Sequence, residues 1–242
     1  MPSFSVITVC YNDKQALIRT ISSVQQQEYE IEHIIIDGGS TDGSLEIIKG
    51  FSQKSNQKLL YLSERDNGVY DAINKGVQLS TSEYLLVLNA GDTFCSNHII
   101  SEVFQSQYFV NQAYLIGRVN YLYSSGKKKA DNSKFASQSY LECSHQAFIY
   151  KRALHDEIGK YNLSYKSASD YDFFSKIYKS YGLIQSEKLP FFIAKREKFG
   201  GDMSDSIMHS WEMIKIDISH NFIANTFFKR TKEIIIKLIR SL

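Results

Sequence analysis

Strand-like and helix-like segments alternate through roughly the first 90 residues, with four strands and helices between them. No other feature limits the fold as tightly. Phe4 to Cys10 is short, apolar and β-branched, the pattern of a strand buried on both faces. Ala16, Leu17, Thr20, Ile21 and Val24 then recur at the spacing of one helix face. Ile31 to Ile36 predicts a second strand, Ser44 to Phe51 a helix and Leu59 to Leu62 a third strand. Asp71 to Leu79 predicts another helix, and Tyr84 to Leu88 a fourth strand. Such alternation predicts an α/β fold, a mostly parallel central sheet flanked by helices.

In sheets of this kind ligands bind beyond the carboxyl ends of the strands. The four strand ends here are Tyr11-Asn12-Asp13, Asp37, Glu64-Arg65-Asp66 and Asp92. Their convergence on one edge points to a single site there. The second half is less regular. Ala113 to Tyr123 suggests strands of a mixed sheet, Gln146 to Tyr150 another strand, and Tyr171 to Tyr181 a helix with Phe174, Ile177 and Tyr178 on one face. The tail from about Ile207 reads as helical to its end. The expected organisation is an α/β domain over 1–205 and a helical extension over 206–242.

Composition removes several alternatives. With 43% hydrophobic and 22% charged residues the chain can bury a large core. A formal net charge of +2 gives no concentrated basic surface, so nucleic acid is not an expected partner. The run Lys127-Lys128-Lys129 reads as a solvated hairpin tip. Cys10, Cys95 and Cys143 are scattered and form no CxxC pair, which supports neither a disulfide framework nor a structural zinc site. His145 beside Cys143 makes a poor metal pair. The sequence shows no signal-peptide pattern and no apolar run of the ~20 residues that span a bilayer. The expected location is the cytoplasm.

Three turns carry the candidate chemistry. Asp37-Gly38-Gly39-Ser40-Thr41-Asp42-Gly43 combines glycines that permit close backbone approach with a carboxylate at a strand end. Asp66-Asn67-Gly68-Val69-Tyr70-Asp71 and Asn89-Ala90-Gly91-Asp92 close later strands in the same way. Taken singly, each also reads as an ordinary turn or helix cap. Together, and with Val6-Ile-Thr-Val-Cys-Tyr11-Asn12 before them, they resemble the inverting family 2 glycosyltransferases of the GT-A fold in both order and spacing. His145-Gln146-Ala-Phe, Ala168-Ser169-Asp170-Tyr171-Asp172 and Phe199-Gly200-Gly201-Asp-Met-Ser204 resemble a bacterial branch that builds surface polysaccharides. The resemblance covers roughly residues 3 to 205.

The resemblance implies a role for each matching residue. Thr8 and Tyr11 line the nucleotide pocket through backbone and ring contacts, Asp37 binds the base (usually uracil), and Asp66 lies against the nucleoside. Asp71, Asn74 and Lys75 belong to the same nucleotide-facing motif. Asp92 holds a divalent cation, Mg²⁺ or Mn²⁺, on the diphosphate, and His145 and Gln146 face the diphosphate or the acceptor. Asp170 is the catalytic base. The partners implied are a nucleotide-sugar donor and a glycan or lipid-linked acceptor. Inversion is a single in-line displacement in which one carboxylate takes the acceptor proton, while the cation or local positive side chains neutralise the leaving group.

Three positions depart from the family pattern. Asn89-Ala90-Gly91-Asp92 stands where relatives carry several carboxylates, and Ile73 stands where many carry Arg, with Lys75 or Lys195 as substitutes. Ser169-Asp170-Tyr171-Asp172 replaces the common Glu-Asp, so Asp172 is a rival base.

From Phe222 to Leu242 the tail sets Phe228, Ile235, Leu238, Ile239 and Leu242 against Lys229, Glu233, Lys237 and Arg240. This basic amphipathic pattern fits the inner face of a plasma membrane. It equally fits a helix packed on its own domain or on a second copy of the chain, a homodimer. Two other functional classes compete: a non-catalytic nucleotide-sugar binding module, and an S-adenosylmethionine-dependent methyltransferase suggested by Ile36-Asp37-Gly38-Gly39-Ser40.

Overall fold

The computed structural model describes residues 1–55, 57–123, 144–181, 189–198 and 206–221, the backbone of 128–130, and the single positions Thr231 and Ile234. Outside this set lie Lys127, Cys143, the Phe199–Ser204 motif and nearly all of the 222–242 tail.

The first half alternates as its pattern predicts: β1 (Phe4–Cys10), α1 (Lys14–Gln25), β2 (Ile31–Asp37), α2 (Ser44–Lys54), β3 (Leu59–Ser63), α3 (Val69–Leu79) and β4 (Tyr84–Val87). There follow β5 (Thr93–Phe94), α4 (Ile99–Gln105), β6 (Tyr114–Ile116), β7 (Arg118–Tyr123) and β8 (Lys128–Ala130). A 3₁₀ turn at His145–Ala147 leads into β9 (Phe148–Lys151), then α5 (Leu154–Glu157), α6 (Ser169–Tyr181), β10 (Phe192–Lys198) and α7 (Ile207–Ser219).

The main sheet has the order β3-β2-β1-β4-β9-β6. Its first four strands are parallel, and β9 runs antiparallel to β4 and β6. Every residue of β1, β2 and β4 is buried, which is why these strands read as continuous apolar runs rather than alternating ones. In register, Cys10 lies opposite Asp37 and Asp37 opposite Ser63, so the ends of three strands are level on one edge. Helix α3 approaches β1 so closely that a Cβ on Gly76 would sit 2.5 Å from Ile7 Cγ2. One face of the sheet packs Ile7, Ile36, Ile73, Phe148 and Phe174 together. The other packs Phe4, Val6, Leu86, Phe104 and Ile193.

Two expectations change. Gln146 belongs to the 3₁₀ turn and not to a strand, because the buried stretch that pairs with β4 and β6 begins only at Phe148. The Ala113–Tyr123 segment breaks at Gly117, with β6 in the main sheet and β7 in a second sheet ordered β5-β10-β7-β8. A Cβ at Gly117 would fall 2.3 Å from Ile193 Cγ1, so the crossing between sheets depends on a missing side chain. Among the described residues, no helix is long and apolar enough to cross a membrane.

Candidate active site

The loops that leave β1 and β2 are stapled to each other. Asn12, at a positive φ of 51°, donates its backbone N–H to Ser40 Oγ (2.8 Å), and its side-chain oxygen accepts from Thr41 N (2.8 Å). Asp42 accepts from Lys14 N (2.8 Å) and from Ser44 N (3.0 Å), which ties the start of α1 to the start of α2. Gly39 and Gly43 hold φ of 81° and 90°, which β-carbon sterics disfavour for other residues. At Gly38 a Cβ would lie 2.6 Å from Asp66 Oδ2 and 3.3 Å from a Tyr11 ring carbon. The bare backbone there lets Tyr11, whose ring is 67% exposed, and Asp66 flank one slot at the sheet edge.

Beneath that slot Asp37 is fully buried, accepting from Ser63 Oγ (2.6 Å) and from both donors of Ser40. Asp66 caps its own turn by accepting from Gly68 N (2.9 Å). Asp71 accepts from Asn67 N (2.9 Å), and Lys75 joins Glu64 (2.8 Å) to Asp71 (3.6 Å). These two residues clamp the 64–68 loop, and their charges are spent on that clamp.

Two residues expected at the nucleotide pocket turn their side chains into the core, although for Thr8 the expected contact is through the backbone. Thr8 is fully buried in mid-strand with its hydroxyl on His33 Nε2 (2.9 Å). Asn74 is buried and makes a two-way amide pair with the Tyr161 backbone, 3.0 Å in each direction. The position of a residue in a motif does not decide which way it faces, and helical periodicity turns Asn74 toward the core.

At the other end of the cleft a chain of hydrogen bonds joins α6 to the β4 turn. Asp170 accepts from Tyr70 OH (3.0 Å) through Oδ1 and meets His145 Nδ1 (3.2 Å) through Oδ2. His145 Nε2 lies 3.2 Å from Asn89 Nδ2. A proton on Nδ1 satisfies both contacts, with the imidazole donating to Asp170 and accepting from Asn89. Asn89 N and Gln146 Nε2 both donate to Asp92 Oδ2 (3.1 and 3.0 Å), and the described residues give Oδ1 no donor. Asn89 Oδ1 and Gln146 Oε1 are buried without a protein partner among the described residues. Buried polar atoms of this kind ordinarily find a partner, and these two belong to side chains beside the Asp92 carboxylate.

The electrostatics separate the carboxylates. Burial pushes Asp92 above its ordinary value, against the pull of Arg196. Burial also acts upward on Asp170, but hydrogen bonds from His145 and from the Tyr171 backbone N–H help hold that carboxylate below its ordinary value. Asp170 keeps 24% of its side chain accessible. Asp172, about 200° further round the helix, is only 5% accessible and is paired with Lys176 (2.7 Å) and His220 (3.0 Å). A carboxylate held by Lys176 and His220, facing away from Asn89 and Asp92, is poorly placed to take a proton in this cleft.

An open cavity of about 170 Å³ lies between the start of α1 and the Asn89–Asp92 turn, walled in part by Asp13, Arg19, Asn89, Asp92, Arg196 and Glu197. Arg196 had no motif to reveal it, since only the pairing of β10 with β5 and β7 brings it beside Asp92. Tyr70 lay inside a recognised motif, but its partner is 100 residues away. Among the described residues, no group of three or more His, Cys, Asp or Glu is arranged to hold a metal. Mg²⁺ sites commonly need only one or two carboxylates plus substrate phosphates, and the open Oδ1 of Asp92 at the cavity wall fits that requirement.

Comparison with known proteins shows the family and the fold. The model of the family described as "Glycosyl transferase family 2" matches residues 5–171. A Mycobacterium bovis protein described as a PGL/p-HBAD biosynthesis glycosyltransferase is 29% identical over 218 residues, covering 86% of this chain and 81% of its own. A Mycobacterium tuberculosis protein described as an uncharacterized glycosyltransferase is 30% identical over 187 residues, covering 71% of this chain and 67% of its own. Among solved structures, S. aureus TarS 1-349 in complex with UDP aligns with a TM-score of 0.63 at 16% identity, covering 92% of this chain and 66% of that one. The mannosyltransferase PcManGT from Pyrobaculum calidifontis, in complex with GDP-Man and Mn²⁺, aligns with a TM-score of 0.66 at 13% identity, covering 99% and 75%. These structural likenesses show the GT-A-like fold.

Proposed function

The chain belongs to glycosyl transferase family 2, and on that premise we propose that it moves a sugar, with inversion, from a nucleotide-sugar donor to a hydroxyl of a glycan or lipid-linked acceptor. The observation that carries this reading is the continuous network Asp170–His145–Asn89–Asp92–Gln146, which links a low-pKa carboxylate to the turn beside the cavity. The nucleoside occupies the slot between Tyr11 and Asp66, with Asp37 bracing the Ser40 loop beneath it. The diphosphate runs toward the Asn89–Asp92 turn and the cavity. Asp170 takes the proton from the acceptor hydroxyl as that oxygen attacks the anomeric carbon, and the sugar–phosphate bond breaks on the opposite side. His145 orients Asp170 and keeps it ionised until the proton arrives.

A divalent cation held by Asp92 and the donor phosphates supplies charge neutralisation for the leaving diphosphate. Arg196 and Arg19, on the walls of the same cavity, add positive charge from the protein itself. A UDP-sugar is the proposed donor, supported by the neighbour solved with UDP and with UDP-GlcNAc. The proposed setting is surface-glycan assembly, consistent with the glycosyltransferase relative of PGL/p-HBAD biosynthesis. The proposed glycosyltransferase domain is residues 1–205, with α7 of the 206–242 helical extension packed on α6 and the extension proposed to reach the inner membrane surface from the cytoplasm. On α7, Met208, Trp211 and Ile218 are exposed, the kind of face that beds into a lipid interface.

The experiment is a panel of UDP-, GDP- and dTDP-sugars, scored for thermal stabilisation and for transfer, with and without Mn²⁺. Stabilisation and transfer with one donor class are expected. Asp92→Asn is expected to abolish the Mn²⁺-dependent part of UDP binding while the protein stays folded. Binding without turnover under every metal would instead favour a non-catalytic binding module.

A further inference from the structure

We infer that Glu212 of α7 is a positioning residue for the base, holding the start of α6 so that Asp170 meets His145 and Tyr70; this rests on the reading of Asp170 as the base. Helix α7 buries the carboxylates Glu212 and Asp217 alongside Ile214 and Ile216, while Met208, Trp211 and Ile218 are exposed. A buried carboxylate is costly unless donors surround it. Glu212 has four: Lys166 N (2.8 Å) on one oxygen, and Ser167 N (2.9 Å), Ser167 Oγ (2.9 Å) and Ala168 N (3.1 Å) on the other. All four donors lie just ahead of α6.

The first helical hydrogen bond of α6 runs from Asp172 N to Ala168 O (3.1 Å), so Ala168 stands at the cap position. Alanine has no side-chain acceptor and is a poor cap. Glu212 gathers the N–H groups of the three residues that lead into α6, its negative charge near a helix N-terminus is favourable, and the Tyr171 N–H inside the first turn is taken by Asp170 Oδ1 (2.9 Å). His209, one turn earlier on α7, donates to Ser167 O (2.9 Å), and Tyr171 OH donates to Asp217 (2.7 Å). Asp170 follows Ala168 by two residues, between these tethers. Its contacts to His145 (3.2 Å) and Tyr70 (3.0 Å) reach it from other parts of the chain. The base is thus fixed from both sides, by the 3₁₀ turn and α3 at its carboxylate and by α7 at its backbone.

The test is Glu212→Gln, whose amide keeps one acceptor oxygen but turns an NH₂ toward backbone donors. UDP affinity is measured by calorimetry, and the pH profile of transfer with the donor found in the panel. The same substitution is also made in an Asp170→Asn background. UDP affinity is expected to stay unchanged while kcat falls by about 10-fold, since small misplacements of a catalytic group cost factors of this order or more. The acid limb should move to higher pH as the His145 contact loosens. In the Asp170→Asn background Glu212→Gln should add no further loss, the non-additivity of residues acting through one another.

A folded Glu212→Gln enzyme with normal kcat and pH profile would overturn the inference. So would an equal fractional loss in the Asp170→Asn background. Should Glu212→Gln fail to fold, Ser167→Ala removes a single one of the four bonds and is expected to shift kcat in the same direction; unchanged kcat there overturns the inference equally. Near-normal transfer by Asp170→Asn alone removes the base reading and this inference with it, whereas loss in that variant beside an unaffected Glu212→Gln removes only this inference.

Discussion

Asp170 and Asp92 differ at the level of single atoms. Both are carboxylates at the cleft, yet the His145 hydrogen bond lowers the partly accessible Asp170 while burial raises Asp92. Because the folded pKa of Asp170 lies below its unfolded value, the stability it contributes is present above that unfolded value and fades as pH falls through the folded one. The base stays ionised over the same range. His145→Gln removes the largest cause of that depression, so the acid limb of the transfer–pH profile is expected to move to higher pH; an unmoved limb would separate His145 from the base. Asn74 belongs to the opposite class. Its sequence context suggests the nucleotide, but its amide clamps the Tyr161 backbone. Asn74→Ala is expected to cost about 1–3 kcal/mol in denaturant unfolding, from buried partners left unpaired, with UDP affinity unchanged. A selective loss of UDP binding would return Asn74 to the nucleotide pocket.

Among the elements, the ones that could be read from the chain are those whose burial is uniform. Strands β1, β2 and β4 are covered on both faces, so their apolar runs stand out, and the polar strand ends follow from the same logic. The 3₁₀ turn at His145 and the break at Gly117 could not be read, because each is set by a distant partner: Asp170 and Asn89 for one, Ile193 for the other. Arg196 escaped for the same reason, as did the role of Tyr70. Thr8 is a motif residue whose hydroxyl belongs to the core and to His33. Helix α3 illustrates how packing locates the site, since Gly76 brings it onto Ile7 and thereby sets Tyr70 under Asp170. Gly76→Ala is expected to destabilise the fold by about 1–3 kcal/mol through overpacking against β1. A calorimetric melting temperature equal to that of the parent would show that α3 can retreat from the sheet at no cost.

Across the whole molecule, a parallel sheet gathers its strand ends on one edge, and a later helix, α6, brings the remaining carboxylate to that edge. Helix α7 secures α6 with its buried acids while turning Met208, Trp211 and Ile218 outward. If that outer face and the basic 222–242 segment meet a membrane, Trp211→Ala combined with removal of 222–242 is expected to lower co-sedimentation with anionic vesicles while transfer to a soluble acceptor persists. Unchanged sedimentation would leave the outer face to a second copy of the chain. The most direct measurement compares transfer by Asp170→Asn and Asp172→Asn. The account predicts a loss of roughly 10²-fold or more for the first, with UDP affinity retained, and activity within a few-fold of the parent for the second. Near-normal transfer by Asp170→Asn, or the larger loss falling on Asp172→Asn, would contradict it.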